Sequence, residues 1–301
     1  SYEDDLLGHG QIDLEHLSRY TRSPKVLAWL GNDSLAKDDL WMQAELFYFG
    51  YNVLPQSSNG DSVIGTGLLH DRNYVEAHPG WGVKFGRSEG WGLDVMTAWY
   101  NVAPVEWRDE HRWWFDEVID MLETGQSACT GTFTTSSMPH MFGGQYRNRQ
   151  SIEACIAENA IWDVLRSVYD GADENRTAQV ERMLRDAIYG MVSEPIWSPV
   201  YSGPHALIAM GPYDANEPPF CGMPPADGLP TGADVFQLWP NFVYGYKLTG
   251  DPIFLQKADE LAQARWNAPD AFTAIVGQGM ENLANRALFL GLLQDTMTNE
   301  Q

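Results

Sequence analysis

Along the 301 residues the apolar positions recur with the period of a helix and not with that of a strand, which predicts an all-α fold. Ser34 is read as the cap of a helix starting at Leu35, with Leu40, Met42, Leu46, Phe47 and Phe49 running to Gly50. A turn-rich stretch, 52–90, is read as loop, followed by a helix over 91–103 that ends before Pro104 and a partner over about 108–123 that stops at Gly125. A second polar loop, 127–146, leads to the longest pattern, 149–169, with Ile152, Cys155, Ile156, Ala160, Ile161, Val164 and Leu165 on one stripe. Asp173 then caps a returning helix that runs to about residue 192. After a Pro-rich irregular segment, 194–232, a helix over 234–248, the turn Thr249-Gly250-Asp251-Pro252 and a helix over 253–266 form another pair. Residues 278–296 read as one more helix with no return partner.

Short turns join the two helices of each pair, so the helices within a pair are antiparallel. Long loops join one pair to the next, and side-by-side stacking of the pairs puts every long loop at the same end. Loops of that length in a packed domain are usually functional, which makes this end the place to look for a site. The helices also differ in kind. Those over 108–123, 173–192 and 253–266 carry charged faces and suit an outer layer. Those over 91–103, 152–169, 236–248 and 278–293 carry little charge and suit an inner layer buried on both sides.

The segment Gly86-Arg87-Ser88-Glu89-Gly90-Trp91, which opens an inner helix, resembles the Arg-Gly-x-Gly-Trp entry of unsaturated glucuronyl hydrolases and related six-hairpin glycosidases. The run Phe242-Val243-Tyr244-Gly245-Tyr246-Lys247-Leu248-Thr249-Gly250-Asp251-Pro252 is similar to the inner-helix, Thr-Gly-Asp turn, outer-helix junction of such toroids. The resemblance implies an (α/α) toroid of antiparallel helical hairpins, here with about four and a half of the six hairpins of a closed ring, as a single domain over residues 1–301. It implies an activity on carbohydrate and transfers no catalytic residue by name.

Composition narrows the partners. The formal net charge is −22, from 41 acids against 19 Lys and Arg, which argues against nucleic acid and anionic membranes. No apolar run reaches the length of a membrane helix. The start, Ser1-Tyr2-Glu3-Asp4-Asp5, is read as that of a chain whose leader has been removed or of a piece of a longer chain, with a secreted or periplasmic location favoured. Cys129, Cys155 and Cys221 form no CxxC and are read as buried thiols. No His, Asp or Glu spacing matches a metal-ligand pattern, so neither metal nor cofactor is expected.

Within this acidic chain the basic residues gather in the expected loops and at inner-helix starts. His70, Arg72, His78, Lys84 and Arg87 lie close together, and the acid-free stretch 124–151 holds His140, Arg147 and Arg149. The expectation is a cationic pit lined by His70, Arg72, Arg87, Trp91, Arg147, Arg149 and Trp239, binding an anionic poly- or oligosaccharide. For lyase chemistry Tyr146 or His140 is the candidate base, with Arg147 or Arg149 neutralising the uronate. For hydrolysis Glu89 and Asp94 are the candidate carboxyls, with Glu153 or Asp234 opposite. The competing readings are a carbohydrate-binding or scaffold domain of a larger secreted protein, and a helical module whose concave face binds protein. Large aromatics are individually more often core than platform, and Arg147 and Arg149 have Glu153 within helical reach.

Overall fold

A computed structural model describes residues 22–53, 67–83, 85–133, 145–193, 196–200, 202–212, 217–222, 226 and 235–266. The chain divides into two compact units, Ser1–Ser127 with Phe133–Ser136 and Ile156–Val180, and Ala128–Thr132 with Ser137–Cys155 and Glu181–Gln301. The helices are α1 (Arg22–Gly31), α2 (Ser34–Val53), α3 (Leu68–Ala77), α4 (Arg87–Tyr100), α5 (Val105–Gly125), α6 (Ser151–Val164), α7 (Glu174–Val192), α8 (Val235–Thr249) and α9 (Ile253–Trp266). Four short strands accompany them: β1 (Tyr146–Gln150), β2 (Trp197–Ser198), β3 (Gly203–Pro204) and β4 (Leu207–Pro212).

The described chain is mainly helical, as expected. Each outer helix opens at a defined stop. Asp33 Oδ1 accepts from Ala36 N at 2.9 Å at the head of α2, so Asp33 and not Ser34 is the cap. Asp173 Oδ1 accepts from Arg176 N at 3.0 Å, and Asp251 Oδ1 from Ile253 N at 2.9 Å. Pro104, which has no N–H to lose, precedes α5.

In the first unit, contacts between helices fall at similar sequence offsets. Lys25 pairs with Asp94 and Trp29 Nε1 donates to Ala98 O at 3.0 Å, both across 69 positions, so α1 runs parallel to α4. Asp94 in turn meets Asp163, another 69 positions on, and Asn101 Nδ2 donates to Ser167 Oγ at 2.9 Å, so α4 runs parallel to α6. The outer helices do the same. Trp107 Nε1 reaches Glu45 at 2.6 Å and Trp114 Nε1 reaches Asn52 at 3.1 Å, both across 62 positions. Arg112 pairs with Asp173 at 3.3 Å, and Gln179 Nε2 donates to Glu123 at 2.7 Å, so α5 runs parallel to α7. Inner parallel to inner and outer parallel to outer is the geometry of consecutive antiparallel hairpins stacked side by side.

Aromatic packing closes the layers. Phe47 and Tyr51 of α2 stack at 5.5 Å, and both meet the fully buried Trp114 edge-on. The Phe47 ring occupies the space over Gly92, where an added Cβ would stand 1.9 Å from it, so α2 and α4 approach closely only because residue 92 has no side chain.

Three further expectations are corrected. Residues 68–77 are helix α3 and not loop: Leu68, Asp71 and Val75 make its buried stripe, and the acid hides the helical period. Tyr51 Oη donates to Asp71 Oδ2 at 3.2 Å, which satisfies that acid. The helix read from residue 149 begins at Ser151, because 146–150 pair with β4 in register Tyr146↔Pro212 to Gln150↔Leu207, with a bulge between Arg147 and Asn148. Cys129 and Cys221 are joined in a disulfide across 92 positions, and only Cys155 matches the buried-thiol reading, with Sγ 3.6 Å from Met191 Sδ.

The second unit holds β1 and β4, the β2–β3 pair, a cluster of Ile196, Ile208 and Met210, and the α8–α9 hairpin. Thr130 and Gly131 lie directly against α7, where a Cβ on Gly190 would stand 1.9 Å from Thr130 O.

Two stability effects follow. Gly92→Ala should cost about 1–3 kcal/mol in chemical denaturation, the usual cost of overpacking a filled core. Replacing Cys129 and Cys221 together by Ser should cost about 2–4 kcal/mol through restored loop entropy in the unfolded chain, read by the same titration under non-reducing conditions.

Candidate functional site on the inner helices

Helix α4 is buried along most of its length: Gly90, Gly92, Leu93, Val95, Met96, Thr97, Ala98 and Trp99 are all enclosed. Within its first two turns Arg87, Trp91 and Asp94 are half-buried and share one stripe at i, i+4 and i+7. Helix α6 repeats the pattern, with Asn159, Trp162 and Asp163 half-buried among enclosed neighbours. The two stripes adjoin at the acids, where the Asp94 and Asp163 carboxyls share a hydrogen bond. From α1, Lys25 Nζ forms an ion pair with Asp94, the two side chains 13% and 21% exposed. That shielding makes the pair stronger than a surface contact. Three parallel helices, the largely exposed α1 and the inner α4 and α6, thus present Lys25, Asp94 and Asp163 in a row.

The charge state follows from the surroundings. Part of the Asp163 side chain stays accessible, but protein atoms crowd its carboxyl. Burial first, and then the Asp94 charge, push Asp163 up to about 8 against the opposing pull of Lys25. Both causes favour a proton retained on the Asp94–Asp163 pair into the neutral range. Just beyond it the helix widens into a π turn, Leu165–Tyr169, a distortion often found beside functional groups. There Tyr169 Oη donates to Asp116 Oδ1 at 2.9 Å, and Arg112 lies 4.5 Å from the ring centroid. Burial and the Asp116 charge raise the Tyr169 hydroxyl above the usual tyrosine range, which keeps it a donor.

The other expected site residues are distributed as follows. Glu89 is buried and its Oε2 accepts from Gly86 N at 2.8 Å, a role at the helix start. Arg72 is exposed on α3, paired with Glu76 at 3.1 Å and Glu117 at 2.7 Å. His70 belongs to α3 and Trp239 to α8, with side chains outside the described residues, as are His140 and Asp234. In the second unit Tyr146, Arg147 and Arg149 share β1. Tyr146 meets Phe220 edge-on at 5.7 Å. Arg147 donates from Nε to Pro212 O at 3.0 Å and from Nη2 to Glu217 O at 2.9 Å, through space left by Gly211. Arg149 is 1% exposed and Glu153 is buried. Arg147 therefore braces backbone carbonyls. Among the described side chains of the expected cations, Arg87 shares a helix face with a candidate catalytic carboxyl, Asp94.

Lys25 and Asp163 were absent from the sequence-based set, although a signal for the second exists. Asp94-Val95-Met96 with Tyr100-Asn101 reappears 69 positions later as Asp163-Val164-Leu165 with Tyr169-Asp170. Lys25-Val26-Leu27 stands 69 positions earlier. Among the described residues no group of His, Cys, Asp and Glu is placed to hold a metal ion. No described helix is long and apolar enough to cross a membrane.

No family profile and no curated protein matches the chain. Among solved structures it is similar to an unsaturated glucuronyl hydrolase from Bacillus sp. GL1, described as responsible for the degradation of glycosaminoglycan. The identity is 10% and the TM-score 0.48, over 82% of this chain and 55% of that one. The chain thus spans about half the length of that protein.

The raised Asp163 has a measurable consequence. Between about pH 4 and pH 8 the folded chain keeps a proton that the unfolded chain has released, so stability falls as pH rises through this window. Below it both states are protonated, and above it both are ionised. Asp163→Asn should remove this slope of at most about 1.4 kcal/mol per pH unit. Urea titrations at pH 5, 7 and 9 should find the variant gaining on the wild type up to about pH 8 and level beyond.

Proposed function

We propose that the chain is a carbohydrate-active enzyme acting on a uronate-containing poly- or oligosaccharide. One arrangement supports this reading: the Asp94 and Asp163 carboxyls meet beside Trp91 and Trp162, where burial raises the affinity of Asp163 for a proton. A protonated acid at pH 7 is what a glycosidic oxygen needs in order to leave, and perturbed acids of this sort mark functional positions. Indole faces suit sugar rings. Arg87, seven residues or about 10 Å along the helix from Asp94, supplies a cation for a uronate one ring away.

The paired acids favour hydrolysis over elimination, since elimination begins with a base and this pair offers a proton. Their direct contact is closer than the separations of about 5 Å or about 6.5–9.5 Å used by two-carboxylate glycosidases. On this reading Asp94 and Asp163 act as one proton-donating unit rather than as an opposed acid and nucleophile.

The test is a panel of uronic-acid polysaccharides and their carboxyl-reduced counterparts, scored for new reducing ends and for unsaturated-uronate absorbance. New ends without absorbance are expected. Asp163→Asn should lower kcat by about 100-fold or more, the range for loss of a general acid. Arg87→Ala should raise KM for the charged chain and leave the reduced one within roughly twofold. Binding without turnover of any member would make this a carbohydrate-binding domain, and an active Asp163→Asn would remove the pair from the chemistry.

A further inference from the structure

We infer that the chain pairs with a second copy of itself through the exposed apolar face of the α1–α2 hairpin, α2 lying antiparallel against α2 of the other copy. That face is distinct from the one that reaches the carboxyl pair, and its pairing does not depend on what the carboxyls do.

Helix α2 is apolar on two separate faces. Ala36, Leu40, Ala44, Phe47 and Tyr51 form a buried stripe, in which Phe47 lies over Gly92 of α4. About 150° round the helix, Leu35, Met42, Leu46 and Phe49 form a second stripe, in which Leu35 is 77% exposed, Met42 60% and Phe49 55%. The side turned to α5 is different again: there Glu45, Tyr48 and Asn52 meet Trp107, His111 and Trp114. Among the described residues, then, neither α4 nor α5 covers the second stripe. Helix α1 repeats the division. Lys25 and Trp29 reach α4, while Val26, Leu27 and Leu30 are each more than half exposed.

Three properties of this face fit a second copy. The first is its spacing. Leu35, Met42 and Phe49 stand seven residues apart, the repeat of a helix-to-helix seam, along about 21 Å of helix. The second is its symmetry. Met42 lies midway between Leu35 and Phe49. An antiparallel copy centred on Met42 therefore sets Met42 against itself and Leu35 against Phe49, the self-complementary pattern that a two-fold contact requires. The third is its size. Val26, Leu27, Leu30, Leu35, Met42 and Phe49 leave on the order of 700 Å² of apolar surface on one hairpin. That exceeds the about 300–600 Å² of the largest patch on a typical monomer and approaches the about 800 Å² each partner gives to a standard interface. Asp38 and Asp39 border the stripe, in a chain of net charge −22, so charge opposes the contact and apolar burial has to drive it.

The test is sedimentation equilibrium of the full chain over about 1–100 µM, at low and at high salt. The wild type should approach twice its 33.8 kDa as concentration rises, and salt should tighten the pairing by screening the acids. Met42→Glu sets two carboxylates against each other on the two-fold axis and should weaken association about 100-fold or more, with circular dichroism confirming the helices. Under mild oxidation Met42→Cys should cross-link to its own copy, whereas Leu69→Cys, on α3 and 66% exposed in the parent residue, should not. If Met42→Glu fails to fold, the cross-link decides alone. A chain that stays monomeric overturns the inference and leaves the face to another part of the chain or to a different partner. A dimer that survives Met42→Glu, dissociates in salt or gives no Met42→Cys cross-link overturns it as well, because its contact then lies elsewhere or is held by charge.

Discussion

The first unit depends on one packing constraint: an inner helix between two neighbours has to fit both at once. Close approach on one side requires a residue such as Gly92, which lets the Phe47 ring lie against the α4 backbone. Parallel alignment on the other side brings equivalent positions of successive helices to the same height. Once α1, α4 and α6 are fixed in this way, residues 66 to 69 positions apart meet, whatever their chemistry. Lys25, Asp94 and Asp163 are the polar residues on which that alignment converges.

The outer helices obey the same constraint with different chemistry. Their contacts are indole donors and ion pairs: Trp107 with Glu45, Trp114 with Asn52, and Arg112 with both Asp116 and Asp173. The charged groups among them, Glu45, Arg112, Asp116 and Asp173, lie nearer to water and cost little to desolvate, so charge is tolerated there in number. On the inner helices the same charges are shielded. A lone acid would be expensive, and the arrangement offsets that cost with a lysine on one side and a retained proton on the other. The stress that burial places on Asp163 is also what equips it to donate a proton at neutral pH.

Much of the helical order was legible because long amphipathic stretches carry their period openly. Helices α4 to α9 lie close to the expected spans, and the Asp173 cap and the Thr249–Pro252 turn were read directly. Helix α3 was not legible because its buried stripe includes Asp71, whose partner Tyr51 lies on another helix. Strand β1 was not legible either, since Arg147, Asn148 and Arg149 are all buried without an apolar residue among them. The Cys129–Cys221 bond spans 92 positions and leaves no local trace.

The candidate site divides in the same way. Arg87, Trp91 and Asp94 could be named from sequence because they open one inner helix at helical spacing, a local property. Arg72, Arg147 and Arg149 could be named as cations, but their partners could not: Glu117 for Arg72 and the Pro212 and Glu217 carbonyls for Arg147. The sequence by itself determined the helices, their antiparallel pairing and the acidic balance, because periodicity, short turns and charge are local or additive. Only the tertiary structure decided that Lys25, Asp94 and Asp163 meet and that one of them stays protonated. A carboxyl's charge depends on how much water and which neighbours surround it, and both are set by helices brought together from distant parts of the chain.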